Sequence, residues 1–320
     1  MKAQRRMALR WLAVLAASGT APLWAQGSAQ AQPFDTLELD WSDARRQRAV
    51  PVRLYLPQTP RVVPLVVFSH GIGGSRRGYS WLGQHLARHG IACLHLQHVG
   101  SDRQLWTGNL LGMLGRVLQA AQDQEAIARV QDLRFALDTL LLGELGSRVD
   151  ERSIVAAGHS YGANTALLAS GARVQREGRA IDLRDDRVRA AIVISAPPFY
   201  GEADLATVLH PISVPSLHIT ATEDVILIPG YYSDARDRVA VFDATGGTRK
   251  WLAVFEGGSH SMFTDRMGSG GVALNPLVKE ATRALTLAFL HGVWQGDEDG
   301  LRQWPLRHAA LLARFTAPAA

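Results

Sequence analysis

Ser160 sits in the run Gly158-His159-Ser160-Tyr161-Gly162, a G-x-S-x-G arrangement. The stretch "SIVAAG" before it is apolar and "ANTALLAS" follows it, so the pattern predicts a buried strand that turns directly into a helix. Glycines two residues either side of a serine let a tight turn pass close to neighbouring backbone. That leaves the hydroxyl exposed at the carboxyl edge of a sheet. The helix that follows points backbone N–H groups at any negative charge developing beside the serine. These are the requirements of a serine nucleophile.

Such a serine needs a base. His260, in "EGGSHSMF", follows the last predicted strand at its carboxyl end, where the ligand sites of parallel sheets lie. His159 and His70 are competitors. His159 neighbours Ser160, but successive side chains on a tight turn point apart, so it is expected to pack beneath the turn. His70 belongs to a separate loop. The base in turn needs an orienting acid, and Glu223 and Asp224 both stand just beyond the strand "SLHITAT". Either choice gives the chain order serine, acid, histidine.

A third element is "FSHGIGGS", where a strand ends at Ser69 and runs into Gly71, Gly73 and Gly74. Glycines there allow backbone to approach a ligand closely. The N–H groups of Ile72 and Tyr161 are the natural pair to receive an oxyanion. A phosphate-cradling loop is not indicated, because no G-x-x-x-x-G-K-[ST] is present.

The elements that must position these residues follow an alternating pattern. "TLELDW" and "AVPVRLYLP" alternate as antiparallel edge strands do, whereas "VPLVVFSHG" and "IACLHLQH" are continuous apolar runs expected of strands buried on both faces. "GYSWLGQHLARHG" and "AIARVQDLRFALDTLLLGEL" have helical spacing. Further strands are expected at "VRAAIVISAP", "PSLHITAT" and "KWLAVFEGG", and a helix around "VKEATRALTLAFLHGVW". The whole predicts a single α/β domain over residues 32–320, with a mostly parallel central sheet flanked by helices. An apolar insertion at about residues 101–122 interrupts the alternation. It is either an extra packed helix or part of a substrate-pocket wall or lid.

Composition narrows the alternatives. The chain has 320 residues and one cysteine, Cys93, in an apolar run, so no intramolecular disulfide can form. The eleven histidines are scattered without HExxH or a Cys/His cluster, which gives no indication of a metal or cofactor. Residues 1–31 differ from the rest. Lys2, Arg5, Arg6 and Arg10 precede "WLAVLAASGTAPLWA", the form of a signal peptide with cleavage after Ala25 or Ala31. The apolar run is too short and interrupted for a stable membrane anchor, so a periplasmic or secreted protein is expected; Arg5-Arg6 leaves twin-arginine and general export both open. Removing those four basic residues from the total of 34 leaves 30 basic against 29 acidic residues. The basic balance that would favour nucleic acid then disappears.

Taken together, "VVFSHGIGGSRRGYSWLGQHLARHGIACLHLQHVGSD", "GHSYGAN", "ITATED" and "GGSHSMF" resemble the α/β-hydrolase superfamily. Within it the chain is similar to the platelet-activating-factor acetylhydrolases and predicted dienelactone hydrolases, over roughly residues 50–295. The resemblance implies an α/β-hydrolase fold and a serine esterase acting on a small-molecule or lipid ester. It implies nucleophile Ser160, base His260, acid Asp224 and oxyanion donors Ile72 and Tyr161. It also places the acid three residues after the small residue that ends the strand, which from Ala221 is Asp224. True dienelactone hydrolases use a cysteine nucleophile, and this turn carries Ser160, which argues against a dienelactone substrate. The rival readings are a peptidase or amidase on the same scaffold, and a catalytically inactive binding protein with a hydrolase fold.

Overall fold

Apolar runs long enough for one strand each, separated by helical segments, build a nine-stranded sheet in the order β1-β2-β4-β3-β5-β8-β9-β12-β13. The computed structural model describes residues 32–228, 230–266 and 271–318. The expected signal segment, residues 1–31, lies outside the described residues. The chain opens with β1 (Phe34–Asp43) and β2 (Arg48–Pro57), an antiparallel pair, then β3 (Val63–Ser69), α1 (Ser80–Arg88) and β4 (Ala92–Leu96). After α2 (Leu110–Ala120) and α3 (Asp123–Leu142) come β5 (Val149–His159) and α4 (Tyr161–Ala169). A small hairpin of β6 (Arg173–Arg176) and β7 (Arg179–Asp182) precedes β8 (Val188–Ile194), α5 (Leu205–Leu209) and β9 (Ser216–Glu223). A second hairpin, β10 (Ile226–Ile228) and β11 (Tyr231–Ser233), leads to α6 (Ala235–Ala244) and β12 (Lys250–Ser259). The chain closes with α7 (Leu274–Gln295), α8 (Asp299–Arg307) and β13 (Leu312–Thr316).

From β4 through β3, β5, β8 and β9 to β12 every pairing is parallel. Successive residues of a strand face opposite sides, so each inner strand feeds two cores. Leu65, Val67, Ile154 and Ala156 join one core with α3 and α4, whereas Val66, Phe68, Val155 and Ala157 join the other with α1 and α7. Burial on both faces explains why these strands are continuous apolar runs.

Two details differ from the pattern. "AVPVRLYLP" is not an edge strand: β2 pairs with both β1 and β4, because the amphipathic β1 caps the sheet outside it. At the other edge β13 adds an antiparallel strand beside β12 that alternation did not reveal. Its residues are mostly half-exposed and carry no apolar run.

The insertion folds as a short 3-10 turn at Arg103–Trp106 followed by α2, whose start is capped by Asn109 Oδ1 accepting from Gly112 N at 2.8 Å. Leu105, Val117 and Ala120 pack together against Ile72 and Ile228. The segment is both packed and part of the pocket surroundings.

Candidate active site

The turn after β5 is built by steric necessity. A side chain on Gly158 would lie 2.1 Å from the Gly162 oxygen, and one on Gly162 would lie 1.9 Å from the Ser69 oxygen. Only glycine permits so close an approach. Ser160 itself takes φ 56° and ψ −125°, an uncommon conformation for a non-glycine residue. It is held there by Ser160 N donating to the Ile194 oxygen and Ala163 N donating to the Ser160 oxygen, each 2.8 Å. The register sets Ser69 of β3 beside Gly158 of β5, so the loop after β3 runs alongside the serine.

His260, in the 3-10 turn after β12, brings Nε2 to 2.8 Å from Ser160 Oγ. Its Nδ1 is 2.7 Å from Asp224 Oδ1. These partners fix the tautomer: Nδ1–H donates to the carboxylate and Nε2 accepts the serine proton. Asp224 is fully buried, while the adjacent Glu223 is exposed. Burial pushes the Asp224 carboxyl up, but the facing and hydrogen-bonded His260 and the Arg238 guanidinium 3.5 Å away hold it well below the ordinary carboxylate range. Thr220 Oγ1 donates to the second carboxylate oxygen at 2.7 Å. Sequence reasoning did not find Thr220 or Arg238; one lies inside a strand run and the other inside a helix of ordinary polarity.

Ile72 lines both clefts that Ser160 lines, and Tyr161, next in sequence to Ser160, opens α4; each carries a backbone N–H. Neither meets an acceptor among the described residues. Gly73, at φ 71°, bends the loop there; Trp106 Nε1 donates to its oxygen at 2.9 Å and Ser101 O accepts from its N–H at 2.8 Å.

The competing histidines have other partners. His159 Nε2–H donates to the His260 backbone oxygen at 2.9 Å, and Tyr79 OH donates to His159 Nδ1 at 2.8 Å. His70 is buried; its Nδ1–H donates to the Gly71 oxygen at 2.7 Å and its Nε2 accepts from His98 N at 3.1 Å. A second Ser-His-Asp chain lies beneath: His98 Nε2 is 3.0 Å from Ser69 Oγ, and His98 Nδ1 is 3.0 Å from Asp132 Oδ2. All three are fully buried, and Asp132 is bound by Arg46 and Arg48. No substrate reaches this chain, so it ties β3, β4 and α3 together under the loop.

Two clefts meet at Ser160. One, of about 510 Å³, is largely apolar, with Ile127, Leu168, Val174, Ile181 and Phe199 among its walls and Tyr161 at its floor. The other, of about 700 Å³, is apolar to a like degree, with Val225, Ile226 and Trp106 on its walls beside His260, Arg77, Arg103 and Asp265. Among the described residues no group of three or more His, Cys, Asp or Glu side chains could hold a metal ion, and no helix is long and apolar enough to cross a membrane.

Comparison with known proteins bears on this arrangement. The structure is similar to that of a ferulic acid esterase from Streptomyces cinnamoneus, with a TM-score of 0.62 and 23% identity, over 86% of this chain and 94% of that one. The chain has the α/β-hydrolase fold. Residues 49–107 match the family model of platelet-activating factor acetylhydrolase, isoform II. The match runs from β2 to just past the 3-10 turn, and so includes the glycine-rich loop after β3 but not Ser160. No curated protein matches the chain significantly.

Proposed function

We propose that this α/β-hydrolase cleaves carboxylic esters through an acyl-enzyme on Ser160. The observation that carries the reading is the continuous hydrogen-bonded chain from Ser160 Oγ through His260 to buried Asp224, together with the unengaged N–H groups of Ile72 and Tyr161. The names of the two matches, an acetylhydrolase and an esterase, support it. Ser160 Oγ attacks the ester carbon as its proton passes to His260 Nε2, and Asp224 stabilises the imidazolium. The carbonyl oxygen becomes an anion facing Ile72 N–H and Tyr161 N–H. When the carbon–oxygen bond breaks, His260 returns the proton to the leaving alcohol. Water, deprotonated by His260, then attacks the acyl carbon, and the acid departs as Ser160 regains its proton.

This proton traffic orients the substrate. His260 must reach the leaving oxygen, so the alcohol lies in the cleft that His260 borders, beside Trp106. The acyl group then occupies the apolar cleft floored by Tyr161, which His260 does not line. That cleft has room for a chain of several carbons or an aromatic ring.

The test is direct. Wild-type protein should hydrolyse p-nitrophenyl butyrate in preference to the matching anilide, and a fluorophosphonate should label Ser160. Ser160→Ala should lose on the order of 10³-fold or more in kcat. Undiminished turnover by pure Ser160→Ala protein would refute the assignment.

We also propose export, on the strength of the basic and apolar residues before Ala25 and Ala31. Intact mass of protein from periplasm and medium tests it. A processed amino terminus near either alanine is expected, and full-length cytoplasmic protein alone would overturn it.

A further inference from the structure

Behind the two oxyanion donors lies Arg129 of α3, with no exposed surface. Its Nε donates to Thr165 Oγ1 at 3.0 Å, its Nη1 to Ser101 Oγ at 2.8 Å, and its Nη2 to the His70 backbone oxygen. The guanidinium carbon stands 4.5 Å from the centre of the Tyr161 ring. Among the described residues these partners are all neutral, and no carboxylate lies within ion-pair distance of it. The acid connected to it is Glu125, reached through the Ser101 hydroxyl, which donates to Glu125 Oε1 at 2.7 Å. Burial lowers the Arg129 pKa to about 10, which still leaves it a cation at neutral pH. Sinking a charge this way is expensive, and an apolar side chain of similar volume would pack there at less cost.

The four contacts share one property. The His70 oxygen opens the turn that ends in Ile72 N–H. The Tyr161 ring belongs to the second donor residue, and Thr165, one helical turn on, donates its hydroxyl back to the Tyr161 oxygen at 3.1 Å. Ser101 accepts from Gly73 N on the far side of Ile72. One rigid guanidinium therefore grips both segments that carry the donors.

We propose that Arg129 is the positioning residue of the oxyanion hole, fixing the spacing of Ile72 N–H and Tyr161 N–H and setting a buried positive charge behind them. The role rests on the serine-esterase reading above. Its direct partners are neutral, and Glu125 and Asp132 act on it only from beyond ion-pair distance, so the remaining field favours the oxyanion of the transition state over the uncharged ester carbonyl.

The experiment compares wild type with Arg129→Met, Arg129→Lys, Thr165→Val and Ser101→Ala. It measures kcat and KM on p-nitrophenyl butyrate, and inhibition by butylboronic acid, which forms a tetrahedral anion on a serine hydroxyl. Arg129→Met should lose on the order of 10²-fold in kcat, leave KM within about threefold, and weaken boronic acid inhibition by a similar factor to kcat. Arg129→Lys keeps the charge and should recover about tenfold of that loss. Thr165→Val and Ser101→Ala each loosen one grip and should lower kcat and boronic acid affinity together, by about three- to tenfold. A merely structural role would lower the melting temperature and leave both quantities unchanged in the folded fraction. That result overturns the proposal, as does a rise in KM at constant kcat. If Arg129→Met does not fold, the Thr165 and Ser101 variants decide by the same criteria. Wild-type protein that neither hydrolyses the ester nor binds the boronic acid overturns the esterase reading itself, and this role with it.

Discussion

His159 donates to the backbone oxygen of His260, 2.9 Å away, and so supports the turn that carries His260 without touching the serine hydroxyl. The two rings lie 4.7 Å apart. His159→Phe keeps an aromatic ring in place but removes the tether. It should lower kcat about ten- to a hundredfold by letting His260 drift, with fluorophosphonate labelling of Ser160 slowed and not lost. Stopped-flow labelling rates alongside steady-state kinetics check this; unchanged values would assign His159 to packing alone.

Asp224 and Glu223 are adjacent, yet one is buried against His260 and the other faces solvent. Asp224→Asn should cost about 10²- to 10⁴-fold in kcat by favouring the wrong imidazole tautomer. Glu223→Gln should cost under about tenfold. Both variants should be assayed on one short-chain ester. A crippled Gln variant beside an active Asn variant would invert the assignment.

The two clefts can be separated by the step each affects. Ile181→Trp narrows the apolar cleft from the β6–β7 hairpin and should lower kcat/KM for octanoate esters by about tenfold or more, leaving acetate esters within about threefold. Trp106→Ala opens the other cleft and should change acylation rates among alcohols. It should leave unchanged the hydrolysis rate of a given acyl-enzyme, since the alcohol has already gone. Pre-steady-state bursts with a series of alcohols and acids distinguish the steps, and effects on the opposite partner would reverse the orientation.

Acid should destabilise the fold through its histidines. Burial pushes the pKa values of His70 and His98 well below the ordinary value, that of His95 to about 4, and those of His159 and His218 to about 3. All five are buried. Unfolded, each would bind a proton below about pH 6.5, so the unfolded state takes up more protons than the native state. Stability therefore falls as pH drops through about 6.5, by roughly 1.4 kcal/mol per pH unit for each such histidine. The fall ends for His95 near its folded value of about 4, and for His159 and His218 near about 3. Asp224 acts in a lower window: its depressed value keeps its contribution intact above about pH 3.9 and loses it only as pH falls further. Thermal melts should be level between about pH 7 and 8 and drop steeply below about pH 6. A level profile down to about pH 5 would mean that these histidines take up protons inside the fold at no cost.

What the sequence determined by itself is local and periodic. The glycines around Ser160 and the apolar run before them specify a strand, a tight turn and a helix, because the φ and packing limits act within a few residues. The apolar runs of β3 and β4, and of β5 from Ile154 to Ala157, announced burial on both faces for the same reason. The choice between Glu223 and Asp224 could not be read from periodicity. Adjacent side chains at a strand end diverge, and only the arrival of His260, 36 residues on, shows which of them it meets. Arg129 and Asp132 were less legible still. On an amphipathic helix, charged residues at that spacing resemble a solvated face, and the β3 and β4 loops that cover them come from 28 to 59 residues away. The burial of a charge depends on which distant backbone closes over it, and only the tertiary structure decides that.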